Sequence, residues 1–211
     1  MLPTHIPMLA LCLLMNIVPG FVFAANWNPL PDTGQTTCYD VNGKVINCPA
    51  TGQPLHGQDG QYQGAAPSYT SQTIGSDLIV IDNNTGLVWQ QNTADTNDDG
   101  SITSGKYPTG DLLVWADAIP FCNGLTYANF NDWRLPTITE LESIVDYGRS
   151  NPAMNPIFTS QWNVEPSNYW SSSLSTSKPN DFALASSSRD GGDTPHWKLL
   201  TGYVRCVREN Q

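Results

Sequence analysis

The residues best suited to chemistry lie in DTNDDGSIT, residues 95–103. Asp95, Asn97 and Asp99 alternate as side-chain oxygen donors, Gly100 allows a sharp turn, and Ser101 offers a backbone carbonyl. Ile102 can anchor the loop. This is the first half of an EF-hand-type calcium loop, so calcium is the expected cofactor. The twelfth position holds Lys106 where such a loop needs a bidentate Glu. Further ligands must then come from elsewhere, and Asp98 and Asp111 are the nearest supplements. The same residues also spell an ordinary acidic turn, because Asp-Gly clusters favour turns on their own.

Catalytic constellations are missing from the sequence. Serine hydrolysis needs a serine beside a histidine and a carboxylate. Past residue 24 the histidines are His56, in a low-complexity stretch, and His196, in DGGDTPHWK. There is no Gly-x-Ser-x-Gly elbow. Glu140 is explained by helix capping, and Glu142, two positions on, points to another helix face. The expectation is a protein that is not an enzyme.

Aromatic side chains offer a different chemistry, stacking on a ligand. Trp162 and Trp197 stand in polar sequence and are the expected ligand-binding rings. Trp89, Trp115, Trp133 and Trp170 are expected in the core of a loop-rich fold. Acidic residues outnumber basic ones 19 to 9, for a net charge of −10. Such a balance disfavours nucleic acid and anionic lipid, and suits divalent cations and neutral ligands.

Positioning these residues falls to a chain in three parts. Residues 1–24 read as a signal peptide, with IPMLALCLLMNIVPGFVFA as its apolar run and a cut after Ala24. The expected location is therefore secreted, periplasmic or cell-surface, with no membrane span after cleavage. Removal of Cys12 leaves Cys38, Cys48, Cys122 and Cys206, an even set that reads as two disulfides. In CYDVNGKVINC a two-residue Asn42-Gly43 turn sets Cys38 beside Cys48, which leaves Cys122 for Cys206.

Residues 25–75 are rich in Gly, Pro, Gln and Thr and poor in aliphatics, so they read as an extended arm stapled by the Cys38–Cys48 hairpin. Residues 76–211 read as globular. SDLIVIDNNTGLVWQQN is strand, turn, strand. GDLLVWADAIPFCNGL places Leu112, Trp115, Ala116, Ile119 and Cys122 at helical spacing, with Pro120 inside. In FNDWRLPTITELESIVDY, Thr137 and Glu140 form a capping box, and the helix after them should run to about Asp146. Arg134 should make a half-buried contact that holds the loop before that box. GYVRCVRE reads as a closing strand whose side chains alternate.

The ordered set VIDNNTGLVWQ, WADAIPFCNGL, DWRLPTITELESIVDY, YWSSS and YVRCVR resembles the Lcl C-terminal domain family of bacterial secreted domains, over about residues 76–208. More distantly, the Arg-Leu-Pro-Thr, Tyr-Trp-Ser-Ser and Arg-Cys-Val motifs resemble the C-type-lectin-like and sulfatase-modifying-factor superfold. The resemblance implies an α+β domain with two helices packed on a small twisted antiparallel sheet, long loops and neighbouring terminal strands. It also implies an adhesin-like role in binding glycans. The expected function is an exported, non-enzymatic binding or adhesion module recognising glycan or protein at the cell surface. The alternative is a structural subunit of an extracellular filament or surface layer, assembled as a homo-oligomer.

Overall fold

The computed structural model describes residues 32–103, 105–106, 109–158 and 168–210. The expected leader at 1–24 and Trp162 lie outside the described residues. In the arm, β1 (Cys38–Tyr39) pairs antiparallel with β2 (Val45–Ile46), and Cys38 is bonded to Cys48. The turn between them differs from the expected two-residue form. The Asp40 amide donates to Lys44 O, and Gly43, at φ +77°, donates to Asp40 O. Asp40 Oδ1 also accepts the Asn42 and Lys44 amides, each at 2.9 Å. Asp40 thus closes a three-residue loop around the left-handed glycine.

The arm packs on its own domain. The Tyr147 amide donates to Thr33 O at 2.7 Å. At that crossing a Cβ on Gly148 would lie 2.3 Å from Gly34 O, so only glycine lets the two backbones meet. The end of the arm is also more ordered than its composition implies. Residues 69–74 form β3 (Tyr69–Ile74), which pairs along its length with β4 (Asp77–Asp82).

Next come β5 (Leu87–Gln90), β6 (Leu113–Val114), α1 (Trp115–Gly124) and α2 (Ile138–Glu142). The chain finishes with β7 (Asn168–Leu174), β8 (Phe182–Ser187), β9 (Asp193–Trp197), β10 (Thr201–Gly202) and β11 (Val207–Glu209). The fold is α+β with two helices, but its strands divide among several antiparallel sheets. Two dominate: β11-β5-β4-β3 and β7-β8-β9. Two-stranded pairs β1-β2 and β10-β6 stand beside them.

The inner strands of the larger sheet, β4 and β5, meet core on both faces, which explains why they read as apolar runs, whereas the edge strand β3 is polar and mostly exposed. Ile79 and Val88 face a cluster containing Trp133, Trp170, Val204 and the Cys122–Cys206 disulfide. Val80 and Trp89 face another containing Leu141, Ile144, Phe158 and Tyr203. Helix α1 contributes Ala118 and Cys122 to the first cluster, and α2 contributes Leu141 to the second. Trp89, Trp133 and Trp170 are buried as expected. Trp115 is only half-buried, with its Nε1 donating to Ser171 O at 2.8 Å.

Three elements depart from their expected extent. Helix α1 starts only at Trp115, because Leu113 and Val114 pair with β10 instead. Its buried face is therefore Ala118 and Cys122, and Ala116 is exposed. Helix α2 stops at Glu142, four residues early, and Ser143 to Val145 continue as a turn. The closing segment does not alternate: Tyr203 to Val207 are all fully buried, because core lies on both sides.

Candidate functional site: an acidic cleft beside the 95–103 loop

The loop at 95–103 is built by its own carboxylates. Asp95 Oδ2 accepts the Gly100 amide at 2.8 Å, and its Oδ1 accepts the Asp99 amide at 3.3 Å. Asp99 Oδ1 accepts both the amide and the hydroxyl of Ser101, at 2.9 and 2.7 Å. Asn97 Nδ2 donates to Asp99 Oδ2 at 3.0 Å. The Ser101 bonds come first among the interactions that hold the Asp99 carboxyl below its ordinary range, followed by Asn97. Gly100 sits at φ +81° and Asp98 at φ +57°, the left-handed conformations of a tight turn.

Asp111 anchors this loop from below. It is fully buried, and it accepts the Thr96 amide on Oδ1 and the Thr103 amide on Oδ2, both at 2.7 Å. Burial raises its pKa against the pull of those amides, and the charges of Asp95 and Asp99 push the same way. Both Asp111 oxygens are thus already used in closing the loop.

The structure brings Asp95, Asn97, Asp99 and Ser101 into one turn. Among the described residues, no three His, Cys, Asp or Glu side chains form a group able to hold a metal ion. Calcium would therefore be held by Asp95 and Asp99 together with the Asn97 amide oxygen, Ser101 and backbone carbonyls. Those are hard oxygen donors of the kind calcium takes.

Beside the loop opens a cleft of about 510 Å³. One wall is Asp95, Asp98, Gly100 and Ile102. The other is the end of α1 and the segment after it, with Phe121, Leu125, Thr126 and Tyr127. Asp77, Gln90, Asn92 and Thr93 complete its lining. The walls are held rigidly. Tyr127 Oη donates to Leu78 O and accepts the Leu78 amide, each at 2.9 Å, and Asp77 Oδ2 accepts the Ala128 amide at 2.6 Å. Thr93 Oγ1 is hydrogen-bonded to Tyr169 Oη in the interior at 2.5 Å. Behind Gln90, the fully buried Arg205 donates Nη1 to the carbonyls of Gln90 and Gln91.

Trp197 lies elsewhere, in β9, and does not line this cleft. Trp197 is 46% exposed, near the exposed Leu199 and Leu200 in sequence. Lys198 packs its ammonium over the Trp115 ring, 4.1 Å from the centroid. His196 packs against Trp170 at a tilt, with centroids 4.9 Å apart, and burial lowers its pKa.

Sequence spacing alone pointed to the acidic wall of the cleft and missed the rest. Asp77, Asn92, Phe121 and Tyr127 come from separate segments, and none carries a local motif. The hairpin β4–β5 and the disulfide from α1 to the segment before β11 bring them together.

The sequence profile of the Lcl C-terminal domain family matches residues 78–208. That span includes both walls of the cleft, the capping box and the Cys122–Cys206 disulfide. No curated protein matches the chain. With well over half its length matched, in the order strand, acidic loop, helix, capping box and closing strand, the chain belongs to the Lcl C-terminal domain family.

Proposed function

We propose that the chain is an exported, non-enzymatic binding module of the cell surface whose ligand seats in the cleft beside the acidic loop. The carrying observation is the cleft itself, where carboxylates and an amide line the same space of about 510 Å³ as aromatic and aliphatic side chains. Asn92 and Asp98 are exposed there, and their side chains have no hydrogen-bond partner among the described residues. They are available to a ligand. A glycan fits this chemistry better than a flat protein surface does, because hydroxyl groups need convergent polar partners and sugar rings need an apolar face.

Calcium bound by Asp95, Asn97, Asp99 and Ser101 would order the acidic wall. A C-type-lectin-like arrangement is part of the same reading. It is supported by β11 pairing with β5 in the sheet that opens the domain, and by the long loops above that sheet. Secretion and the absence of a membrane span after cleavage belong to it too. No helix among the described residues is long and apolar enough to cross a membrane. The net charge of −10 speaks against nucleic acid as partner.

The test is a glycan array with the chain from residue 25 onward, followed by titration of any hit with Asn92→Ala, Asp98→Asn and Trp197→Ala. Loss of binding in the first two and retention in the third supports the cleft. Loss with Trp197→Ala alone moves the site to β9 and sinks this reading.

A second reading has its own observation. Among the described residues, the outer edge of β3 is unpaired over six positions, and its side chains are mostly exposed. An edge of that kind can accept a strand from another copy, as a filament or surface-layer subunit would require. Size-exclusion chromatography separates the two, since a stable monomer at high concentration speaks against assembly.

A further inference from the structure

We propose that the cleft selects a cationic sugar, one carrying a free ammonium group as glucosamine does, and rejects sulfated or carboxylated ones. This inference rests on the cleft being the ligand site. Every charged side chain among the described lining residues is a carboxylate: Asp77, Asp95 and Asp98. An anionic ligand would bring its charge against three of its own sign, with no Lys or Arg among those lining residues to answer it.

The three carboxylates are not equivalent. Asp95 uses both oxygens on the loop amides, and Asp77 uses Oδ2 on Ala128. Asp98 is exposed, has no side-chain hydrogen-bond partner among the described residues, and is turned by its left-handed backbone at the tip of the loop. A ligand ammonium paired with Asp98 gains a charge-assisted hydrogen bond.

The remaining lining argues for a sugar body behind that ammonium. Phe121, Leu125 and Tyr127 give the cleft apolar lining, and Asn92 offers an unengaged amide for hydroxyl groups. The space of about 510 Å³ exceeds what a single lysine side chain would fill. A bare inorganic cation would use none of the apolar wall.

Titration calorimetry of the chain from residue 25 onward, with calcium present, tests this against four probes. They are an oligomer of glucosamine, the matching N-acetylated oligomer, a heparin oligosaccharide and an oligolysine of similar length. The glucosamine oligomer should bind most tightly, weaken as salt is raised, and lose roughly tenfold in affinity with Asp98→Asn. That variant keeps the left-handed conformation, which Asn tolerates well. If the N-acetylated oligomer binds equally well, without salt dependence, through Asn92, the cation inference is overturned and the cleft reading stands. Preference for heparin likewise overturns it, and preference for oligolysine replaces the sugar with a basic peptide. Binding unaffected by both Asn92→Ala and Asp98→Asn overturns the cleft reading as well.

Discussion

Arg134 grips Glu140 with both arms of its guanidinium, Nη1 to Oε2 at 2.8 Å and Nη2 to Oε1 at 2.6 Å. The same Glu140 Oε2 accepts the Thr137 amide at 2.7 Å, as the capping box requires. Arg134 also reaches Glu209 at 2.8 Å, and its backbone exchanges two hydrogen bonds with Val207. Through these two ion pairs Arg134 ties the start of α2 to the last strand. Burial works to raise the Glu140 carboxyl, but Arg134 and Thr137 together hold it below its ordinary value.

Thr137→Ala should cost about 1 kcal/mol, the usual worth of an N-cap side chain. Glu140→Ala should cost more, about 2 kcal/mol, because it removes the two-armed partner of Arg134 and leaves the Thr137 amide without its acceptor. Urea unfolding of Thr137→Ala, Glu140→Ala, Arg134→Ala and the Arg134→Ala/Glu140→Ala double variant would measure this. Strict additivity in that cycle would contradict the coupling.

The two disulfides should differ in importance. Cys122–Cys206 spans 84 residues, is fully buried and joins α1 to the core. Its loss in Cys122→Ala/Cys206→Ala should cost about 4–5 kcal/mol on the loop-entropy model. Cys38–Cys48 spans 10 residues within the arm. On the same model its removal should cost less, about 3 kcal/mol, and calorimetry should show the smaller drop in thermal midpoint.

Glycine at 148 is expected to be required for docking of the arm. Gly148→Ala would drive its Cβ into the Gly34 carbonyl, while Gly124→Ala meets nothing within 4 Å. Limited proteolysis should cut the arm faster in the first variant and leave the second unchanged. Equal rates would mean that the arm is held by other contacts.

Stability should also fall as pH rises through the range below neutrality, because of one carboxyl pair. Burial first, and then the facing Glu142 carboxyl, push Asp193 up to about 7. A carboxyl raised above its unfolded value favours folding only while protonated. Its contribution is whole below about pH 4 and is lost as pH climbs to 7. Asp193→Asn should flatten the thermal midpoint across that window relative to the parent. A parallel pH profile would refute the pairing.

Millimolar calcium should raise the thermal midpoint if the 95–103 loop binds it, through mass action on the folded state. Asp95→Ala and Asp99→Ala should each abolish the shift. No heat and no shift in the parent would remove calcium from the proposed function.

Much of this was legible in the sequence, and the legible parts are local. Thr137 and Glu140 are three residues apart, so one turn of helix suffices to join them. Asn42-Gly43 marks a turn, although the deciding residue, Asp40, accepts amides two and four positions on. The four cysteines could be paired because one pair was close enough for a hairpin to decide. The extents of the helices were less legible. Leu113 and Val114 have helical spacing with Trp115 and the residues after it, yet β10, almost 90 residues later, captures them as a strand. Helical spacing could not register that competition.

The acidic loop, the capping box, the arm and the family to which this chain belongs were all set by residue identity and short-range order along the chain. Three-dimensional packing was needed to bury Asp111 under the loop as its anchor. It was needed as well to lock Tyr127 against Leu78 and to stand Trp197 apart from the cleft. The difference is one of range. Capping, turn and amphipathic signals act within about one or two turns of chain. A cleft walled by residues 77, 98 and 127 exists only once the sheet and the core around β4 and β5 have drawn those segments together.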